Sequence, residues 1–105
     1  MKVSFILACM LMITYPANEE WSALQQSMQK MHNGMSSIRS SSDSDADFVS
    51  LMLVHHQAAL DMAKIELLYG KDAQIRRLAQ EIVTDQQSEI ELMNVWMKQH
   101  TNKEN

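Results

Sequence analysis

One cysteine, one proline and two glycines are all that this 105-residue chain holds of the residues that staple, break or bend a backbone. Cys9 alone can form neither an internal disulfide nor a Cys-x-x-Cys redox or zinc motif. Pro16 is the last proline, so everything after it is free of the strongest helix breaker. Gly34 and Gly70 stand too far apart for a phosphate-cradling loop. Basic residues number 9 against 13 acidic ones, a formal charge of −4 that argues against nucleic acid as a partner. The one long apolar run, Val3 to Ile13, falls short of the roughly 20 residues a helix needs to cross a bilayer. No Ser-His-Asp or Cys-His arrangement is apparent, and the Glu-x-x-His pairs of a di-iron carboxylate centre are absent. Glu66, Glu81, Glu89 and Glu91 are not spaced for such a centre, so the chain reads as a binding protein and not an enzyme.

What is present begins with an export pattern. Met1 and Lys2 form a short positive region, the apolar run follows it, and Tyr15-Pro16-Ala17 offers a small residue for cleavage. Residues 1–17 are therefore expected to be a signal peptide and the mature protein periplasmic or secreted, with a retained anchor as the alternative. Ile6-Leu7-Ala8-Cys9 has the outline of a lipoprotein box, but Leu7 is atypical there and the apolar run continues past Cys9. Cleavage leaves 8 basic against 13 acidic residues, a charge of −5, and no cysteine. No stable membrane insertion is expected of that remainder. It keeps seven methionines, at positions 28, 31, 35, 52, 62, 93 and 97, an excess that needs a reason.

Helical periodicity organises the rest. Asn18 is a candidate N-cap, Glu19 and Glu20 suit a first turn, and Trp21, Leu24, Met28, Met31 and Met35 recur at helical spacing. Ser36 to Asp45 is rich in Ser and Asp without apolar period and reads as a mobile connector. Asp45 or Asp47 can cap a second helix with the stripe Phe48, Met52, His55, Ala59 and Met62, which stops at Gly70. Asp72 caps a third, whose stripe Ile75, Ala79, Ile82, Gln86, Met93, Trp96 runs nearly to His100; Thr101 to Asn105 is a polar tail. The expected fold is all-α, an antiparallel up-down bundle of three helices over residues 18–100. Three helices of this length make a thin core, so a homodimer forming a larger bundle is a further expectation.

The second helix carries Met52 one turn before both His55 and His56, so a thioether and an imidazole can reach one ion. The first helix carries Met28, Met31, His32 and Met35, and the third Met93 and Met97. Thioether is soft and imidazole borderline, so a Met/His set without carboxylates favours Cu(I) or Ag(I) over Mg²⁺, Ca²⁺ or Mn²⁺. Thioethers also cannot be lost to disulfides in an oxidising compartment. Taken singly, a Met at such spacing more often fills a core, and adjacent histidines are more often hydrogen-bonded or solvent-facing. The copper reading rests on shared level. A pair of helices turning at Gly70 sets His55 opposite Gln86 and Phe48 opposite Met93, with Met28 and Met31 of the first helix near Met52 and His55. Gln86 could then hold a ligating ring by a hydrogen bond. Met62 lies two turns away and reads as core.

Asp47-Phe48, Met52, His55-His56-Gln57-Ala58-Ala59, Asp61-Met62-Ala63, Leu78-Ala79, Ile82, Gln86, Glu89-Ile90, Met93 and Trp96 together resemble the domain-of-unknown-function 305 family. That family has a ferritin-like helical-bundle fold and includes CopM-like periplasmic copper-binding proteins. The resemblance runs from about Met28 to Met97. It implies Cu(I) or Ag(I) binding for copper sequestration, chaperoning or tolerance, through Met28, Met31, His32, Met35, Met52, His55, His56, Met93 and Met97, with a copper-efflux or copper-chaperone protein as the partner. The Ser-rich connector departs from the Gly-Asp turn of many relatives. The competing expectation is a helical protein–protein interaction module whose Met-rich face grips a partner and binds no metal.

Overall fold

A computed structural model describes residues 19–103 as three helices, α1 (Glu19–Ser37), α2 (Ser44–Tyr69) and α3 (Ala73–Lys103), with no strand among them. The signal-peptide segment, Cys9, the Asn18 cap and the last two residues lie outside the described residues. Among those described, no helix is long and apolar enough to cross a membrane.

Each helix starts where its polar residues can satisfy free backbone N–H groups. Glu19 and Glu20 occupy the first turn of α1, where the positive end of the helix dipole favours carboxylates. The N-cap of α2 is Asp43, which accepts from the backbone N–H groups of Asp45 at 2.9 Å and Ala46 at 3.2 Å. The sequence suggests Asp45 or Asp47 for this role, but both lie in the first turn. Asp47 instead folds back on the connector, accepting from the Ser41 N–H at 2.8 Å and from the Ser41 and Ser40 hydroxyls at 2.7 and 2.9 Å. The connector is thus shorter than expected and pinned by one carboxylate, not an open tether. Asp72 caps α3 as anticipated, accepting from the Ile75 N–H at 2.9 Å. At the far end α3 continues through Lys103, so the first three residues of the expected polar tail are helical.

Gly70 ends α2 in an extended conformation, φ −67° and ψ 151°, so it is not there for a left-handed turn. Its value is closeness. A Cβ at this position would lie 2.6 Å from the backbone oxygen of Glu66 and run into the Glu66 side chain. The Arg76 guanidinium fills the same corner, donating to the carbonyls of Leu67 at 2.7 Å and Gly70 at 3.0 Å at the negative end of the α2 dipole. Gly70→Ala should therefore destabilise the fold by about 1–3 kcal/mol, the usual cost of forcing an atom into occupied space. Chemical denaturation checks it, and an unchanged midpoint would contradict the steric account.

The helices run up, down and up, with α2 in the middle: α1 and α3 each pack on α2 and not on each other. The seams are built from small side chains. Ala58, Leu60 and Ala63 of α2 are buried, as are Ala79 and Met93 of α3 and Ser27 of α1, and no large side chain is fully enclosed. Gly34 of α1 lets that helix come close, since a Cβ there would sit 3.1 Å from Val54 of α2. Because α1 and α3 do not close on each other, Trp21 and Phe48, both on expected core stripes, are 62% and 61% exposed.

A clasp joins the start of α2 to the last turns of α3. His100 Nε2 lies 2.6 Å from Asp43 Oδ2, and the His100 ring stacks on Trp96 at 4.6 Å between centroids. The Ala46 N–H above all holds the Asp43 carboxyl below its ordinary value of 3.8, and His100 and the Asp45 N–H add to it against the opposing push of desolvation. A depressed aspartate contributes stability that is complete above its unfolded value and is lost as pH falls through the folded one. Asp43→Ala should therefore lower the melting temperature at pH 7, with the gap from the wild type narrowing as pH drops below 3.8. Thermal melts across pH test this, and a gap constant down to low pH would contradict it.

Candidate metal centre

The level of each helix against α2 can be read from specific contacts. Between α2 and α3, His56 Nε2 lies 2.5 Å from Glu89 Oε2. Met52 precedes His56 by one helical turn and Met93 follows Glu89 by one turn, so in this antiparallel pair the two methionines form the next rung. Between α1 and α2, Gly34 faces Val54 and Lys30 pairs with Asp61 at 3.6 Å. That register brings Met35 to the level of Met52.

Helical rotation then decides sides. Lys30, Gln57, Asp61, Ile90 and Asn94 border a groove of about 380 Å³ on one side of α2, where Met31 also turns. Met52, His55 and Ala59 project to the other side of α2, with Met28 and Met35 flanking from α1 and Met93 and Glu89 from α3. Met93 is buried at 8% exposure, Met52 and Met35 are half-buried, and the His56 side chain is 20% exposed. His55 is exposed.

Of the nine residues proposed from sequence, the fold gathers Met35, Met52, His55, His56 and Met93 at one level. Met28 lies about two turns from Met52 along α1 and is 51% exposed. Met31 faces the opposite groove. His32 is exposed on the outer side of α1, and Met97 sits one turn beyond Met93 toward the His100 clasp. The expectation that Met28 stands level with Met52 is therefore off by about two turns, and Met31 turns to the other side of α2.

The partner of His56 also differs from expectation. Gln86 was the residue expected opposite the histidines, yet its Oε1 is buried without a hydrogen-bond partner, and Glu89 holds His56. The reason is geometric. Side chains on a helix lean toward its N-terminus, so tips that meet across an antiparallel pair come from residues further along both chains than a backbone ladder indicates. The one-turn spacing of Met52 with His56 and of Glu89 with Met93 is the signal that would have exposed the pairing.

Among the described residues no three of His, Cys, Asp and Glu converge on a common point. A metal held at this level must draw on thioethers, which suit a soft monovalent ion. Elsewhere Glu66 is pushed above the ordinary carboxyl value of 4.5 by burial and by the nearby Glu20 carboxyl, a local effect at the other end of α2.

A family model described as "Domain of unknown function (DUF305)" matches residues 14–97. No curated protein matches the chain.

Proposed function

The chain belongs to the DUF305 family, a domain of unknown function, and from its site we infer that it binds monovalent copper, or the chemically similar Ag(I), through thioether and imidazole ligands. The observation that carries this reading is the rung Met52–Met93 beside the rung His56–Glu89, with His55 and Met35 at the same level. Two soft donors from different helices, one of them nearly buried, stand within one turn of two imidazoles. Such a donor set holds Cu(I) without thiolate. In this reading the protein is exported, performs no chemistry on the ion, and sequesters it or hands it to a copper-efflux or copper-chaperone protein in the cell envelope. Exposed His55 is the natural ligand for exchange, since it can leave the site without disturbing the packed helices.

The test is an anaerobic Cu(I) titration of the full chain carrying Cys9→Ser, against a competing chelator, so that no thiol contributes. Tight binding at a defined stoichiometry supports the proposal. Affinity no better than that of free methionine and histidine would defeat it.

A second reading has its own observation. Trp21, Met28 and Phe48, exposed at 62%, 51% and 61%, put large apolar surface on the open side of the three helices. An interaction module, or a second copy of the chain, could cover it. Met→Leu changes separate the readings, because they keep apolar volume and remove sulfur: metal binding falls while protein binding persists.

A further inference from the structure

Resting on the copper reading, we propose that Glu89 is a positioning residue for the site, which fixes the tautomer of His56 and thereby decides which of its nitrogens can face the metal. His56 and Glu89 are 33 residues apart in sequence and meet at 2.5 Å between Nε2 and Oε2. A carboxylate only accepts, so the hydrogen in this contact belongs to the imidazole, and Nε2 carries it in both the neutral and the protonated ring. The neutral ring therefore has its lone pair on Nδ1. That nitrogen is the one nearer the backbone, and helical side chains lean toward the N-terminus, which puts the preceding turn of α2 within its reach. The preceding turn is the one that carries Met52, with Met93 across from it. Glu89 thus leaves the Nδ1 lone pair of His56 as the donor available to the thioether rung.

The neighbouring histidine supplies the contrast. His55 is exposed and has no hydrogen-bond partner within the protein among the described residues, so nothing selects its tautomer. The two adjacent imidazoles then have different tasks: His56 is a preset ligand, held from behind, and His55 is the one that swings. Carboxylate-to-histidine contacts of this kind set ring orientation and raise ligand basicity. Glu89 is 56% exposed, so its contribution is to orientation more than to the stability of the fold.

The experiment uses the full chain carrying Cys9→Ser, labelled with ¹⁵N, as wild type, Glu89→Gln and Glu89→Leu. Ring nitrogen shifts of the metal-free protein are read well above the imidazole reference value, and Cu(I) affinity is measured by chelator competition. His56 should show the Nε2–H tautomer in the wild type and a mixture in Glu89→Leu. His55 should show the mixture in all three. Cu(I) affinity should fall about tenfold in Glu89→Leu and largely return in Glu89→Gln, whose amide oxygen still accepts the ring hydrogen. An Nδ1–H tautomer for His56 in the wild type overturns the inference, as does a Glu89→Leu variant that binds Cu(I) as tightly as the parent. A wild-type chain that shows the Nε2–H tautomer and binds no Cu(I) overturns the copper reading, and the role of Glu89 with it.

Discussion

Changing His55 and His56 together to Ala should lower Cu(I) affinity by more than the roughly 10–100-fold that loss of a supporting contact costs, because it removes two donors and not their props. It should also flatten the pH dependence of what remains. An imidazole must shed its proton to ligate, whereas a thioether does not titrate. Binding by the parent should weaken on acidification, while residual binding by the double variant should barely change. The fold should survive, since neither histidine is among the buried core residues: Ala58, Leu60 and Ala63 hold α2 in place. Circular dichroism of the variant, beside the titrations, separates loss of ligands from loss of structure. Full affinity with the parent's pH profile would mean that both histidines are structural, and the search for the site would move to Met28, Met31, His32 and Met35 on α1.

Met93 should give the largest effect on stability, and its two substitutions should diverge. It is the bulkiest of the buried side chains alongside Leu60, at 8% exposure, in a core made mostly of alanines. Met93→Ala empties a volume that the neighbouring alanines cannot refill, so it should cost about 2–5 kcal/mol. Against the stability of about 5–15 kcal/mol usual for a small domain that is a large fraction, and the melting temperature should fall on the order of 10 °C or more. Met93→Leu keeps the volume and should cost less than about 1.5 kcal/mol. It removes the sulfur, however, so Cu(I) affinity should drop in a protein that is still folded. Met62→Leu is the control: Met62 is half-buried two turns from His55, and its change should alter neither quantity much. A Met93→Leu protein with undiminished affinity would make Met93 a core residue only.

The legibility of this chain differs from element to element. Helical periodicity and the Asp72 cap were sufficient to place α3, because capping is a contact between residues three apart and needs nothing from the rest of the fold. The sequence leaves the start of α2 ambiguous because seven aspartates and serines between Ser40 and Asp47 compete for one role. Only the folding of the connector against the first turn of α2 leaves Asp43 at the cap and draws Asp47 onto Ser41. Trp21 and Phe48 lie on true apolar stripes, and the stripes do not reveal that α1 and α3 leave α2 uncovered between them.

The sequence by itself determined the three helices, their antiparallel order, and the supply of Met and His side chains, since periodicity, short connections and composition are local properties of the chain. Tertiary structure decided which of the candidate residues share a level. Met35, Met52, His55, His56 and Met93 share a level while Met28, Met31, His32 and Met97 do not, and Glu89 replaces Gln86 beside His56. Those outcomes depend on a register of about one helical turn between packed helices. That register is set by the Gly70 corner, the Gly34 contact with Val54 and the lean of side chains along each axis, none of which any single segment of sequence contains.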